Sequence, residues 1–448
     1  MRGSAAFRVG VAPGGALAPS WVRDSVSRAA RSTPSLDLRF ADNKSLIDAT
    51  SGQSLVTFTR ASSGTYVGSE GLIKTATTNE ARFDHNPTTG ESLGLLVEEQ
   101  RTNLIVQSEN FETTWLTTGL LAFGSGSTLN ATVAPDGQTT ADLLTENSST
   151  SEHRVETAAI SWVANTTYTL TIFAKANGRT RMDVFGVGGG NFTGGRNASF
   201  NLSTGAVITT DGAVASIEAR ANAYYRIRMT FTASAAPSAS ALFIRFLDNS
   251  NNFSYAGDGT SGIYLWGAQL EAGSFPTSYI PTTSATVTRS ADVASITGAN
   301  FSSWYNQTEG TLYIESTKMS IPVTTNTTFA DLNDGTVSNR SRFWIWSGAT
   351  STLRFTPRAS SADQADLTIG TPIQNIPFKA AGSLKVNDFA AVLNGGTVST
   401  DGSGTVPTVD RLTIGNSGSA NEQLGGTIRR LTYWPSRLPN STLQEITR

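Results

Sequence analysis

The chain has no cysteine. Disulfide stapling, thiolate metal sites and cysteine nucleophiles are therefore excluded, and cysteine usage says nothing about redox compartment. Histidine is nearly missing too: His85 and His153 are the only two. A histidine-based triad needs one of them, and neither lies near a GxSxG-type turn or a recognisable partner. Charged residues make up only 15% of the chain and nearly cancel, leaving a net charge of -2. Without a strong field of either sign, binding to nucleic acid or to an anionic membrane through bulk electrostatics is not expected. No run of about 18 apolar residues exists, so no membrane insertion is expected. The first thirty residues also lack the apolar core of roughly 7–15 residues that a secretory signal needs, which reads as a soluble chain that is not classically secreted.

What is present is glycine, 42 residues of 448, together with abundant Ser and Thr. That composition suits short strands joined by turns, whereas helices draw on Ala, Leu, Glu and Lys in quantity. The fold class expected is all-β: tandem antiparallel β-sandwiches (jelly rolls) after a short N-terminal arm. Residues 1–34 form the arm, with Arg2, Arg8, Arg23, Arg28 and Arg31 against the single acid Asp24. Within it Pro19-Ser20 can start a short helix that gathers Trp21, Val22 and Val26 on one side and that Pro34 ends. About three turns are marginal alone, so the arm reads either as a docking peptide for a larger assembly or as a frayed terminus. Residues 35–103 read as a small β domain of short strands whose thin apolar inventory calls for packing on a neighbouring module or on a second copy of itself. Residues 104–283 read as a jelly-roll sandwich, its plainest strand being YYRIRMTFT, where Tyr225, Ile227, Met229 and Phe231 alternate with Arg226 and Arg228. The strand opening Gly262 to Thr283 is apolar on both faces in its first half and so reads as central; Gly273, Pro276 and Pro281 force an extended exit. Residues 284–448 read as a second sandwich with a hairpin at Asn394-Gly395 and a terminal helix whose Ser441-Thr442-Leu443-Gln444 fits a capping box. The tetrads TFTR and TVTR, ending at Arg60 and Arg289, echo one another near the entries to two units, and four residues are too few to make a repeat.

Catalysis is hard to build from these residues, and no enzyme is expected. Paired carboxylates for glycoside chemistry must face one another across about 5–10 Å, whereas Glu98 and Glu99 are adjacent on a strand and point to opposite faces, one to solvent and one to a turn. Asp331-Leu332-Asn333-Asp334-Gly335 has glycine where the fifth ligand of an EF-hand belongs. Asp136-Gly137, Asp248-Asn249 and Asp258-Gly259 read as turns. A structural calcium between loops is the one cofactor left open. Sugar binding uses aromatic faces beside polar groups, and in RFWIW the residues Trp344 and Trp346 face away from Phe343 and Ile345. Trp344 and Trp346 are the first glycan-stacking candidates, and Trp304 and Tyr305, which follow a linker, are the second. Burial in an oligomer interface or under the opposite sheet is the competing reading for each. Arg226 and Arg228 suit either an anionic glycan or a plain solvent face.

Three strings resemble a known group. FTRASSGTYVGSEGLIKTATTNEARFDHNPTTGESLGLLVEEQRTNL, from Phe58 to Leu104, is similar to the N-terminal region of virion fibre and spike proteins of tailed bacteriophages (tail fibre or head fibre). GAQLEAGSFPTSYIPTT resembles the close of their carbohydrate-binding-module-like jelly roll. TEGTLYIEST, VDRLTIG and GGTIRRLTYWPSRLPNSTLQEIT resemble a concanavalin/laminin-G-like domain. The resemblance implies a structural virion protein, often a homotrimer, assembled in the host cytoplasm. It would attach to tail, baseplate or capsid proteins by its N-terminus through Trp21, Val22 and Val26, and contact a host surface polysaccharide. A head fibre, collar or capsid-decoration protein without a receptor role is the alternative, and a glycan-cleaving enzyme the second.

Overall fold

The computed structural model describes residues 24–122, 124–318, 326–347, 350–417 and 422–448. The chain is all-β, built as two antiparallel sandwiches. In the first, one sheet runs Phe192–Thr193, Tyr225–Ala233, Thr167–Asn177, Gly262–Ala272, Thr139–Thr145 and Thr128–Val133, with Val214–Ala219 also paired to Tyr225–Ala233. The facing sheet runs Ala206–Thr210, Asn197–Asn201, Arg181–Gly186, Leu242–Leu247, Arg154–Glu156 and Leu116–Thr118. Side chains alternate along a strand, so Ile227, Met229 and Phe231 enter the core between the sheets, and Arg226 and Arg228 come to the outer face, only partly buried.

Gly262–Ala272 is central, paired with Thr167–Asn177 on one side and Thr139–Thr145 on the other. Simple alternation puts Tyr264, Trp266, Ala268 and Leu270 on one face, and a β-bulge overturns this. Gly267 sits at φ 65°, and the register against Thr167–Asn177 shifts between Thr171 and Phe173. The extra residue reverses the phase of the strand. Ile263 and Leu265 before it and Ala268 and Leu270 after it share the sandwich core. Trp266 turns to the other face, where it packs with Phe173 and Tyr279 and donates its indole N–H to Thr140 Oγ1 at 3.0 Å. The same reversal sends Gln269 and Glu271 outward to hold the exit loop. Glu271 accepts the Thr277 backbone N–H at 3.0 Å, and Gln269 Oε1 accepts that of Ile280 at 2.6 Å.

Residues 35–103, read above as a domain of their own, instead supply strands to the second sandwich. Leu36–Leu38 and Ser92–Val97 both pair with Gly426–Trp434, and Thr57–Thr59 pairs with Val293–Thr297. A segment too poor in apolar residues for a core completes one made elsewhere. The first sheet of this sandwich runs Ser399–Asp401, Phe389–Leu393, Phe378–Lys385, Glu309–Lys318, Gly426–Trp434, Ser92–Val97 and Phe83–His85. Opposite it lie Thr57–Thr59, Val293–Thr297, Arg411–Ile414, Thr327–Asn333, Arg340–Ile345, Leu353–Ala359 and Ala362–Asp363. Leu36, Phe58 and Leu95 from the early segment join Ile314, Phe343, Leu412 and Leu431 in one core. The Asn394-Gly395 turn forms, with both residues at positive φ, 48° and 67°, between Phe389–Leu393 and Ser399–Asp401.

Trp21 and Val22 lie outside the described residues. The helix described in the arm is Ser25–Ala30, capped by Asp24, whose Oδ1 accepts the Val26 N–H at 3.0 Å. It stops at Arg31 in the left-handed conformation, φ 51°, before Pro34 is reached. Val26 is 7% exposed and packs with Trp434, Leu443 and Ile446, while Asp24 pairs with Arg430 at 2.6 Å. A side chain covered in this way offers no docking surface; its partner is the chain's own terminal helix, Asn440–Ile446. That helix begins where the sequence places it, but Pro439 precedes it and no side chain caps it, so the capping box does not form.

Candidate functional site

Two surfaces carry the chemistry. The first is the outer face of Arg340–Ile345. Phe343 and Ile345 enter the core, so Arg342, Trp344 and Trp346 point the other way. Trp344 is partly buried; its indole N–H donates to Thr356 Oγ1 at 2.8 Å, and the Arg342 guanidinium lies 4.0 Å from its ring centroid. Trp346 is the presented ring, 44% exposed, with the Arg354 guanidinium 5.1 Å from its centroid. Arg354 ion-pairs with Asp366, and Arg342 with Glu422. An apolar face rimmed by fixed donors and acceptors can stack a sugar ring and bond its hydroxyls. Trp304 is 4% exposed and stands edge-on to Phe301 and Tyr433. Tyr305 is half-buried in the same cluster, 4.6 Å from Phe301 and 5.3 Å from Tyr433 between centroids. These two are committed to packing and present no platform.

The second surface is a cleft of about 360 Å³ between the sandwiches. One wall is the outer face of the first sandwich, with Phe173, Glu218, Arg220, Arg226 and Arg228. Tyr66, Asp84, His85, Glu98 and Arg429 come from the opposite side, and the exit loop adds Pro276, Thr277 and Ser278. The bulge at Gly267 and the anchoring of the exit loop by Gln269 and Glu271 set this rim. Arg226 Nη2 donates to the Thr277 carbonyl at 2.7 Å, and Arg228 Nη2 donates to that of Ser274 at 2.8 Å. Burial lowers Arg226 to about 10 and Arg228 in the same direction. Asp84 accepts the Val67 N–H at 2.7 Å, and burial, reinforced by nearby Glu98, pushes its carboxyl up to about 6. Glu218 goes the other way: burial would raise it, but Arg220 prevails and holds it below its ordinary range.

Glu98 is not a solvent contact. It belongs to a buried ionic cluster with Arg82, Arg289, Arg60 and Asp292, every side chain of which is at most 1% exposed. Its Oε2 lies 2.8 Å from Arg82 and 3.6 Å from Arg289, and it accepts the Ser278 N–H at 2.7 Å. Burial alone would raise Glu98, yet the two guanidinium groups and Ser278 bring it to about 2. Asp292 accepts from Arg60 at 3.1 Å and from the Glu98 N–H at 2.9 Å, and also pairs with Arg82. The echo of TFTR and TVTR thus has a physical sense, since Arg60 and Arg289 end in one cluster. That echo was the only signal in the sequence pointing to it. The exit-loop carbonyls that accept from Arg226 and Arg228 had none.

Asp136, Asp248 and Asp258 close their own turns: they accept the N–H groups of Gln138 at 2.9 Å, Ser250 at 2.8 Å and Thr260 at 2.8 Å. Among the described residues no three His, Asp or Glu side chains gather as a metal set.

No family model matches the chain, and no curated protein matches it. Among solved structures it is similar to the CBM40 module of the Ruminococcus gnavus IT-sialidase bound to alpha2,3 sialyllactose, at 15% identity over 32% of this chain and 84% of that one, TM-score 0.28. The mouse laminin alpha1 chain, domains LG4-5, matches at 10% identity over 76% of this chain and 94% of that one, TM-score 0.24. Trypanosoma rangeli sialidase in complex with the inhibitor DANA matches at 9% identity over 73% and 61%, TM-score 0.26. At such scores the likenesses carry no argument about ligand or activity.

Proposed function

We propose that this chain is a projecting subunit of a tailed-bacteriophage particle, a tail-fibre or receptor-binding component that contacts a host surface glycan through the Trp346 face. The observation that carries the glycan contact is the exposed Trp346 ring, with Arg354 beside it and Trp344, Arg342 and Thr356 next along the same outer face. The phage assignment rests on the three family-like strings, which meet at one joint: the Phe58–Leu104 string gives Arg60, Arg82 and Glu98, and the GAQLEAGSFPTSYIPTT string gives Ser278. The GGTIRRLTYW string pairs with Ser92–Val97. Homotrimerisation and attachment to other virion proteins through the N-terminal arm, residues 1–34, complete the reading.

The test is binding of the full chain to host envelope polysaccharide. Saturable binding that falls at least tenfold in Trp346→Ala, with an unchanged melting temperature, supports the reading; no binding at high protein concentration overturns it. Antibody labelling of intact particles separates tail from head, since label on the capsid moves the protein to the head-fibre alternative. One observation favours the glycan-cleaving reading: Asp84 and Glu218 line one cleft with carboxyls shifted in opposite directions, as acid and base roles require. Incubation with host polysaccharide and chromatography for released oligosaccharides decides it, and absence of release removes it.

A further inference from the structure

We infer that the cleft between the two sandwiches is a second saccharide site, one that takes a carboxylate-bearing sugar of an acidic polysaccharide on Arg226 and Arg228. The inference rests on the glycan reading above and adds to it a second location and a ligand charge.

A charge census of the cleft carries the argument. Arg220 is paired with Glu218 at 2.5 Å, and Arg429 with Glu91 at 2.8 Å and Glu315 at 3.0 Å. Glu98 is answered by Arg82 and Arg289. Arg226 and Arg228 remain: among the described residues neither has a carboxylate within 4.0 Å, their hydrogen bonds go to neutral carbonyls and hydroxyls, and the negative charge that acts on both, Glu218, is already paired with Arg220. Two cations in a partly desolvated wall, with no carboxylate in direct contact and with Glu218 shared with Arg220, are costly unless an anion completes them. Arg226 Nε is buried without a hydrogen-bond partner, and so is Nε2 of His85 on the same cleft, a side chain only 5% exposed. Both are polar atoms that the fold leaves unsatisfied on residues lining the cleft.

The spacing selects the ligand. Arg226 and Arg228 are two apart on one strand, so their side chains rise from the same face roughly 7 Å apart at the backbone. Both guanidinium forks can converge on one planar carboxylate, which accepts bidentate hydrogen bonds from arginine. The Arg226 guanidinium also lies 5.7 Å from the ring centroid of the buried Phe173, and Tyr66 and Pro276 give apolar surface for the sugar ring. At about 360 Å³ the cleft is at the small end of ligand pockets, roughly 300–1,000 Å³. It therefore fits a short stretch of saccharide and not a folded partner.

The test uses the full chain with three probes: polygalacturonate, sodium glucuronate and dextran. Expected are binding of polygalacturonate that weakens with salt, competition by glucuronate, and no competition by dextran at this site. The double variant Arg226→Gln/Arg228→Gln should lose at least tenfold in polygalacturonate affinity, while Trp344→Ala/Trp346→Ala keeps it. Both arginines also brace the exit loop, so a third variant guards against misfolding. Glu218→Gln removes the nearest negative charge without touching either arginine and should tighten polygalacturonate binding severalfold. Equal affinity in all three variants, or equal competition by dextran and glucuronate, overturns the inference. If polygalacturonate binding vanishes only in the tryptophan variant, the glycan reading stands and the cleft site falls. If the wild-type chain binds neither host polysaccharide nor polygalacturonate, both fall together.

Discussion

Asp84 shows how a single buried carboxylate sets a pH dependence. It is 8% exposed, and burial raises it to about 6, whereas an aspartate in an unfolded chain titrates near about 3.9. Between those values the folded chain holds a proton that the unfolded chain has released, so stability from this group is present at low pH and is lost as pH rises through 6. Asp84→Asn keeps an oxygen for the Val67 N–H and removes the ionisation. Urea melts should show it more stable than wild type at pH 7.5, by on the order of 1–3 kcal/mol, with the gap closing at pH 4. Glu98 has the opposite sign: it is held at about 2, its stabilisation is present above the unfolded glutamate value of about 4.3, and it is lost as pH falls toward 2. The sequence singles out Glu98 and reads it as a solvent or turn contact, and it does not single out Asp84, because adjacency on a strand says which face a residue takes and nothing about what covers that face.

At the scale of the element, Gly267 and the arm helix are the informative cases. A Cβ at Gly267 would stand 2.9 Å from the Phe173 ring at a backbone φ of 65°, so Gly267→Ala meets both strain and contact. Thermal unfolding should report a loss of about 2 kcal/mol or more, together with altered tryptophan fluorescence as Trp266 shifts. The helix Ser25–Ala30 is held by Val26 in an apolar cluster and by Asp24 on Arg430 and Arg39. Deleting residues 1–31 should therefore lower the melting temperature of the purified chain before any particle is involved. An unchanged melting temperature would return the helix to the role of a free docking peptide. The alternation of Tyr225–Ala233 and the Asn394-Gly395 turn are fully legible in sequence, since both are local. The bulge is not, because a glycine at positive φ inside a strand is indistinguishable from one that merely packs closely.

At the scale of the whole molecule, the ionic cluster of Arg60, Arg82, Arg289, Glu98 and Asp292 ties the early segment, the exit of the first sandwich and the start of the second. Breaking a buried pair by removing one partner is costly, about 3–5 kcal/mol. Glu98→Ala leaves Arg60, Arg82 and Arg289 sharing the one carboxylate of Asp292 and strips Ser278 of its acceptor. Calorimetry should show one coupled transition in the wild-type chain and two separated transitions in this variant, as each sandwich loses its hold on the other. A single transition at unchanged temperature would mean that the cluster does not couple them. The cleft depends on the same joint, so Glu98→Ala should also weaken polygalacturonate binding.

The sequence by itself determined the class and most strands: the lack of cysteine, the glycine-rich turns and the period-two alternation leave little besides antiparallel sandwiches, and parity alone put Trp344 and Trp346 on the face opposite Phe343 and Ile345. Each of these follows from neighbours a few residues away. Only the tertiary structure decided that residues 35–103 belong to the second sandwich, that Trp304 and Val26 are covered, and that Arg226 and Arg228 face a cleft with no carboxylate in direct contact. Those outcomes depend on pairings across hundreds of residues, such as Arg60 with Asp292 or Leu36 with Tyr433. Burial and charge balance there are properties of the assembled surfaces and of no single segment.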